Sequence, residues 1–134
     1  MTKISSLDPR FSVSNKTLDR QHLTILNLRS SALEFFYDDK VGDLKKFTKN
    51  LYELHSRILD HFYTEEEILL KHGYANLEEH ILEHSSYTEK LSYLFFDVSN
   101  GVIDKPNMEF CLLDWVPRHL AEWDMEYGHF LQIH

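Results

Sequence analysis

One cysteine, Cys111, is the whole thiol supply of this 134-residue chain. No internal disulfide can form, and thiolate-rich metal sites are excluded. Glycine and proline are scarce, four and three residues, which favours long uninterrupted helices. No stretch of about 18 apolar residues occurs, so a membrane-spanning helix is not expected. The opening MTKISSLDPR lacks the apolar segment of a secretory signal, and a cytoplasmic location follows as the default expectation. Basic runs are missing as well. With a formal charge of −8 and no Lys/Arg-rich tract, nucleic acid is not an expected partner. The balance of 43% apolar and 27% charged residues is that of one ordinary globular domain. Histidine is what the chain has in excess, nine residues, and that excess points to metal.

Four amphipathic stretches follow residue 16. The first is predicted from about Thr17 or Asp19 to Tyr37, with Leu18, His22, Ile25, Leu26, Leu33 and Phe36 inward, and ends in DDKVG. Asp43 is the expected N-cap of the second, whose inward face carries Phe47, Leu51, Leu54, Ile58, His61, Glu65 and Ile68. Gly73 after His72 reads as its stop. Asn76 with Glu79 reads as a cap opening the third helix, which turns Leu77, His80, His84, Leu91, Leu94 and Val98 inward and ends at Asn100-Gly101. Asp104 and Pro106 open the fourth, expected to reach about Leu131. Short connections make sequential helices antiparallel. The predicted fold is all-α: an up-down-up-down four-helix bundle over residues 17–134, preceded by an extended arm over 1–16. A helical hairpin array covered by partner subunits is the alternative.

Polar residues interrupt the inward faces: His22, His61, Glu65, His80, His84, His119 and Asp124. Any one of them alone is explained as a hydrogen-bonded core residue. As a set they are different, because a buried imidazole or carboxylate costs several kcal/mol unless it is paired or metal-bound. His61–Glu65 and His80–His84 are i,i+4 pairs that share a helix face. His119–Asp124 is a five-residue step, so in a regular helix Asp124 has to reach sideways. In the predicted topology all seven fall in one slab roughly 6–18 Å from one end of the bundle, at 1.5 Å per residue. Five imidazoles and two carboxylates exceed a four-coordinate zinc site. They suit two metal ions bridged by carboxylates, and iron fits nitrogen and oxygen donors with positions left open. Ferritin-like bundles use two Glu-x-x-His motifs, whereas only Glu126–His129 occurs here, off the inward set.

The strings DRQH at 19–22, HFYTEEE at 61–67, YANLEEHILEH at 74–84 and WVPRHLAEWD at 115–124 resemble the hemerythrin family, notably its single-domain bacterial members. The likeness runs from about Phe11 to Tyr127. It implies that His80, His84 and His119 cap one iron, that His22 and His61 hold the other, and that Glu65 and Asp124 bridge the pair together with an oxo or hydroxo group. The second iron would then keep one position for dioxygen. Two departures stand out. Phe11 replaces a Trp common near the start of the arm, which predicts looser packing there. Pro117 removes a hydrogen bond to the Leu113 carbonyl and predicts a kink two residues before His119.

Helical geometry places Ile25, Phe62, Trp115, Val116 and Leu120 around the open position, with no general acid or base among them. An apolar, closed pocket suits an oxygen carrier, store or sensor rather than an enzyme. The competing readings are a di-iron enzyme that reduces peroxide or nitric oxide or oxidises a substrate, and a purely structural metal site. A separate protein that receives the oxygen or reads the oxygenation state is compatible with the first reading. His55, His129, Glu66 and Glu67 are expected on the surface, with the alternative that one of the two glutamates reaches a ligand's second ring N–H. His72 is expected in the last turn of its helix, and Cys111 in the core.

Overall fold

The computed structural model describes the backbone of residues 3–37 and 44–133. Four helices form an all-α bundle: α1 (Lys16–Tyr37), α2 (Leu44–Lys71), α3 (Leu77–Ser99) and a composite α4 over residues 105–133. The expected cap Asp43 and the DDKVG segment lie outside the described residues. Asn15 opens α1 by accepting from the Leu18 amide at 3.0 Å. After α2, Gly73 takes φ 71°. Its amide donates to Leu70 and that of Tyr74 to Leu69, the paired bonds that close a helix on a left-handed residue. Gly101 ends α3 in the same way, with bonds to Val98 and from Val102 to Asp97. Asp104 caps α4 at the Asn107 amide, as expected. Asn76 does not cap α3 with its side chain. Its amide instead donates to Glu126 at 2.7 Å, tying the start of α3 to α4.

The fourth helix departs from the regular pattern. Two π turns, Phe110–Asp114 and Leu120–Asp124, alternate with α segments Lys105–Glu109, Trp115–His119 and Met125–Ile133. The first π turn answers Pro117. A proline leaves the carbonyls one turn back without their donor, and here Arg29 of α1 supplies it. Arg29 Nε donates to the Leu112 carbonyl and its Nη2 to that of Leu113 at 3.4 Å. The break is absorbed by a π turn and a cross-helix donor.

Two apolar clusters fill the interior. The larger holds Ile25, Leu54, Phe62, Leu91, Leu112 and Val116, and the smaller Val13, Leu18, Leu69 and Tyr127. In sequence order they flank the polar intruders on α1, α2 and α4, so the intruders form a polar layer between two apolar ones. Ile68 is only partly buried while Leu69 is fully buried, a one-residue correction to the inward face of α2. Leu33 and Leu77 are likewise partly buried, and Tyr87 of α3 joins the core. Ahead of α1 the arm is pinned by reciprocal bonds between Ile4 and Asn27. It passes so close to Gly128 that a Cβ there would meet Val13 Cα at 3.2 Å. No helix among the described residues is long and apolar enough to cross a membrane.

Candidate metal centre

All seven polar intruders are at most 2% exposed, and their donor atoms converge. Glu65, His80, His84, His119 and Asp124 form one group within 4.8 Å of one another, and His22, His61, Glu65 and Asp124 form a second. The two carboxylates belong to both groups. Each divides its oxygens between them. Glu65 Oε1 lies 2.6 Å from His80 Nε2 and 3.0 Å from His84 Nε2, whereas Oε2 lies 3.0 Å from His61 Nε2. Asp124 Oδ1 lies 2.9 Å from His119 Nε2, and Oδ2 lies 3.2 Å from His22 Nε2.

Only the His80–Glu65 contact among these is a hydrogen bond; the rest of the carboxylate–imidazole approaches are close without being aligned for one. His22 Nε2, His61 Nε2 and both Asp124 oxygens are buried with no hydrogen-bond partner, a costly state unless something sits between them. The far side of the rings sharpens the point. His22 Nδ1 faces the Phe11 carbonyl at 3.0 Å, His61 Nδ1 the Gln21 Oε1 at 2.7 Å, and His84 Nδ1 the Glu66 Oε2 at 2.8 Å. All three partners accept, so Nδ1 carries a proton in each ring, and with a cation in place each would present its Nε2 lone pair inward. His84 and His119 bring their Nε2 atoms to 3.2 Å of each other, and Glu83 stands 3.6 Å behind His119 Nδ1. Convergent lone pairs and two shared carboxylates suit a pair of divalent cations with nitrogen and oxygen ligands. His80 and His119 depart from the pattern, since Nδ1 of each is buried without a hydrogen-bond partner.

Without a cation the charges balance among themselves. Burial disfavours the ionised form of Glu65, but His61, His22 and His80 hold it well below the usual carboxylate range. Burial would lower His22, yet the Asp124 and Glu65 carboxylates raise it to about 10. His80 is raised to about 9 by the same two carboxylates against its burial. His61 moves the other way, lowered chiefly by burial.

Helix register explains the convergence. In α2 the His61–Glu65 pair is i,i+4 within a regular helix. In α4 the i,i+5 step from His119 to Asp124 coincides with the second π turn. That turn closes on i→i+5 bonds, so it returns Asp124 to His119's face, and the expected sideways reach is replaced by a change of helix period. Neighbours of the ligands do further work. Gln21, Glu66 and Glu83 each lie one residue from an intruder on their own helix, rotated by about 100°. Each meets the imidazole of the next helix: His61, His84 and His119 respectively. Glu66, half-buried, is thus the one of the Glu66–Glu67 pair that reaches a ligand's second ring nitrogen, with Oε2 on His84 while the side chain stays partly open to solvent. Tyr127 was missed. Its hydroxyl donates to Glu65 Oε2 at 2.8 Å, and burial followed by the nearby Asp124 and Glu65 charges keeps it a neutral donor.

The five apolar residues expected around an open position, Ile25, Phe62, Trp115, Val116 and Leu120, are all buried in the larger cluster. Phe62 stacks on the His84 ring at 3.7 Å and Trp115 on His119 at 4.2 Å. Those two therefore brace the three-histidine side. Cys111 is buried, its thiol pushed up to about 12 mainly by burial. His72 is exposed just past α2 and bonds the Ile68 carbonyl at 2.8 Å. His55 is half-buried and meets Ser92 at 3.1 Å.

Among curated proteins, the chain is 28% identical over 125 residues to a bacteriohemerythrin from Clostridium acetobutylicum, covering 87% of this chain and 93% of that one. No family model and no solved structure matches.

Proposed function

We propose that this hemerythrin-like chain binds dioxygen reversibly at two iron ions held by His22, His61, Glu65, His80, His84, His119 and Asp124. The observation that carries the reading is the division of each carboxylate, one oxygen toward the His80–His84–His119 group and the other toward the His22–His61 group. Five side chains serve one centre and four the other, so the His22–His61 centre is a ligand short, and a small exogenous molecule would take the remaining position. When bound, the iron pair supplies the electrons that dioxygen takes up on binding and returns on release. An oxo or hydroxo bridge would complete the set between Glu65 and Asp124.

The protein's own part is to fix and to exclude. Phe11, Gln21 and Glu66 accept from the outer ring nitrogens and orient the imidazoles, and Glu83 places its charge behind His119. Tyr127 holds Glu65 through Oε2 and stays protonated. Ile25, Val116 and Leu120 keep water away from the centre, and a dry cover slows the proton delivery that would make oxidation irreversible.

Stopped-flow mixing of the ferrous protein with oxygen, followed by evacuation, tests the reading. One dioxygen should bind per chain and be released, with slow oxidation in the wild type and faster oxidation in Val116→Ala and Ile25→Ser at unchanged iron content. Direct oxidation with no reversible phase, together with turnover of peroxide or nitric oxide, would replace the carrier reading with a di-iron enzyme.

A further inference from the structure

The outer face of the α2–α3 pair is more apolar than a solvated surface requires. On α2, Tyr52, Leu59 and Tyr63 are 60%, 42% and 69% exposed, and their spacing of seven and four residues keeps them on one stripe. Phe96 of α3 is 65% exposed. Two grooves run between the helices along this face, about 510 Å³ beside Tyr52, Phe95 and Ser99 and about 410 Å³ beside Leu59, Ser85 and Thr88. His55 and Ser92 meet between them at 3.1 Å. Charge is graded along the face. Lys45 and Lys49 line the first groove, while Glu66 and Glu89 line the second.

We propose that this face is a two-fold interface between two copies of the chain. The charge gradient selects the occupant and its direction. A two-fold axis parallel to the helices would set Lys45 and Lys49 against their own counterparts. An axis across the helices, at the level of His55 and Ser92, inverts the second copy. Counting residues from that level, Lys45 then meets Glu66, Tyr52 meets Leu59 and Lys49 meets Tyr63 of the other copy, with Ser56 beside the axis. Opposite charges thus pair at both ends, and the apolar stripe is covered in the middle, as an isologous contact requires. From Lys45 to Glu66 the face is roughly 30 Å long at 1.5 Å per residue. Two helices about 10 Å apart give on the order of 600 Å² per copy, or about 1,200 Å² in total, at the lower edge of stable interfaces. The dimer is therefore weak and concentration-dependent, with dissociation in the micromolar range or above.

Sedimentation velocity on the metal-loaded chain, from about 1 μM to about 1 mM, reads the equilibrium. The wild type should pass from 16.0 kDa to twice that mass, at higher concentration when salt is raised, because the end pairs are screened. Leu59→Glu and Tyr52→Ser should hold it monomeric at least tenfold further up the concentration scale, as should Lys45→Glu with Lys49→Glu. Lys3→Glu with Lys16→Glu, the same charge change elsewhere, should leave the dimer intact. A Ser56→Cys chain should join to itself through a short thiol-reactive linker, and a Lys16→Cys chain should not. A wild-type chain monomeric throughout the range would overturn the proposal, and so would a dimer indifferent to the α2 variants. Unchanged helix content and metal stoichiometry in Tyr52→Ser, an exposed site, guard against reading misfolding as dissociation.

Discussion

Helices α2 and α4 do the same work by different means. Each brings one imidazole and one carboxylate to the polar layer, and each carboxylate serves both groups of imidazoles. In α2 the pair is i,i+4 in an unbroken helix of 28 residues. In α4 it is i,i+5, and a π turn takes up the extra residue. What the site requires is a shared face, and helix period adjusts to provide it. The adjustment comes with a neighbour: the earlier π turn and Pro117 leave carbonyls that Arg29 must satisfy, whereas α2 needs no such donor.

The largest test of this difference is deletion. Removing Ala121, exposed in the π turn, should restore a regular helix, leave His119 and the aspartate i,i+4, and keep both metals. Removing exposed Tyr63 from α2 should turn Glu65 and all that follows by about 100°. Metal would be lost from both centres, with a fall in melting temperature of roughly 10 °C or more. Elemental analysis and thermal melts of the two variants measure it, and equal loss in both would mean that the π turn is not a one-residue accommodation.

Next in size is Arg29. Arg29→Met leaves the Leu112 and Leu113 carbonyls without their donor and should cost about 1–3 kcal/mol by denaturant unfolding. Pro117→Ala returns an amide to α4, so the cost of Arg29→Met should shrink in that background. Additive losses would separate Arg29 from the proline.

The smallest expected effects belong to the outer ring partners. Glu66→Ala and Gln21→Leu should each weaken metal binding by about 10–100-fold, the first acting through His84 and the second through His61. Glu67→Ala, one residue further on and exposed, should do nothing. Competition with a chelator of known affinity gives the numbers, and an effect of Glu67→Ala as large as that of Glu66→Ala would detach Glu66 from its role.

The sequence carried the bundle and the convergence of the seven residues because both depend on period. Apolar spacing marks the inward face of α2 from Phe47 to Glu65, and polar residues on that face at one depth declare themselves. What it left obscure depends on contacts between helices. Glu66 and Glu83 look like solvated charges on their own helices, and only the neighbouring helix gives each an imidazole to meet. Gln21 sits in the DRQH string, yet its partner His61 lies 40 residues away. Tyr127 reads as core because a bundle interior is full of aromatics. Its position three residues after Asp124, on the inward face, was the available sign that its hydroxyl needed a partner. For the π turns the sign was the five-residue ligand step itself, taken together with Pro117.

Anaerobic titration of the metal-free chain with ferrous iron, followed by desalting and elemental analysis, tests the central claim most directly. Uptake should stop at two irons per chain, and Asp124→Ala, which removes a ligand common to both groups, should lower occupancy of both. A plateau at one metal, or an Asp124→Ala chain that still holds two irons as tightly as the wild type, would contradict a carboxylate-bridged pair.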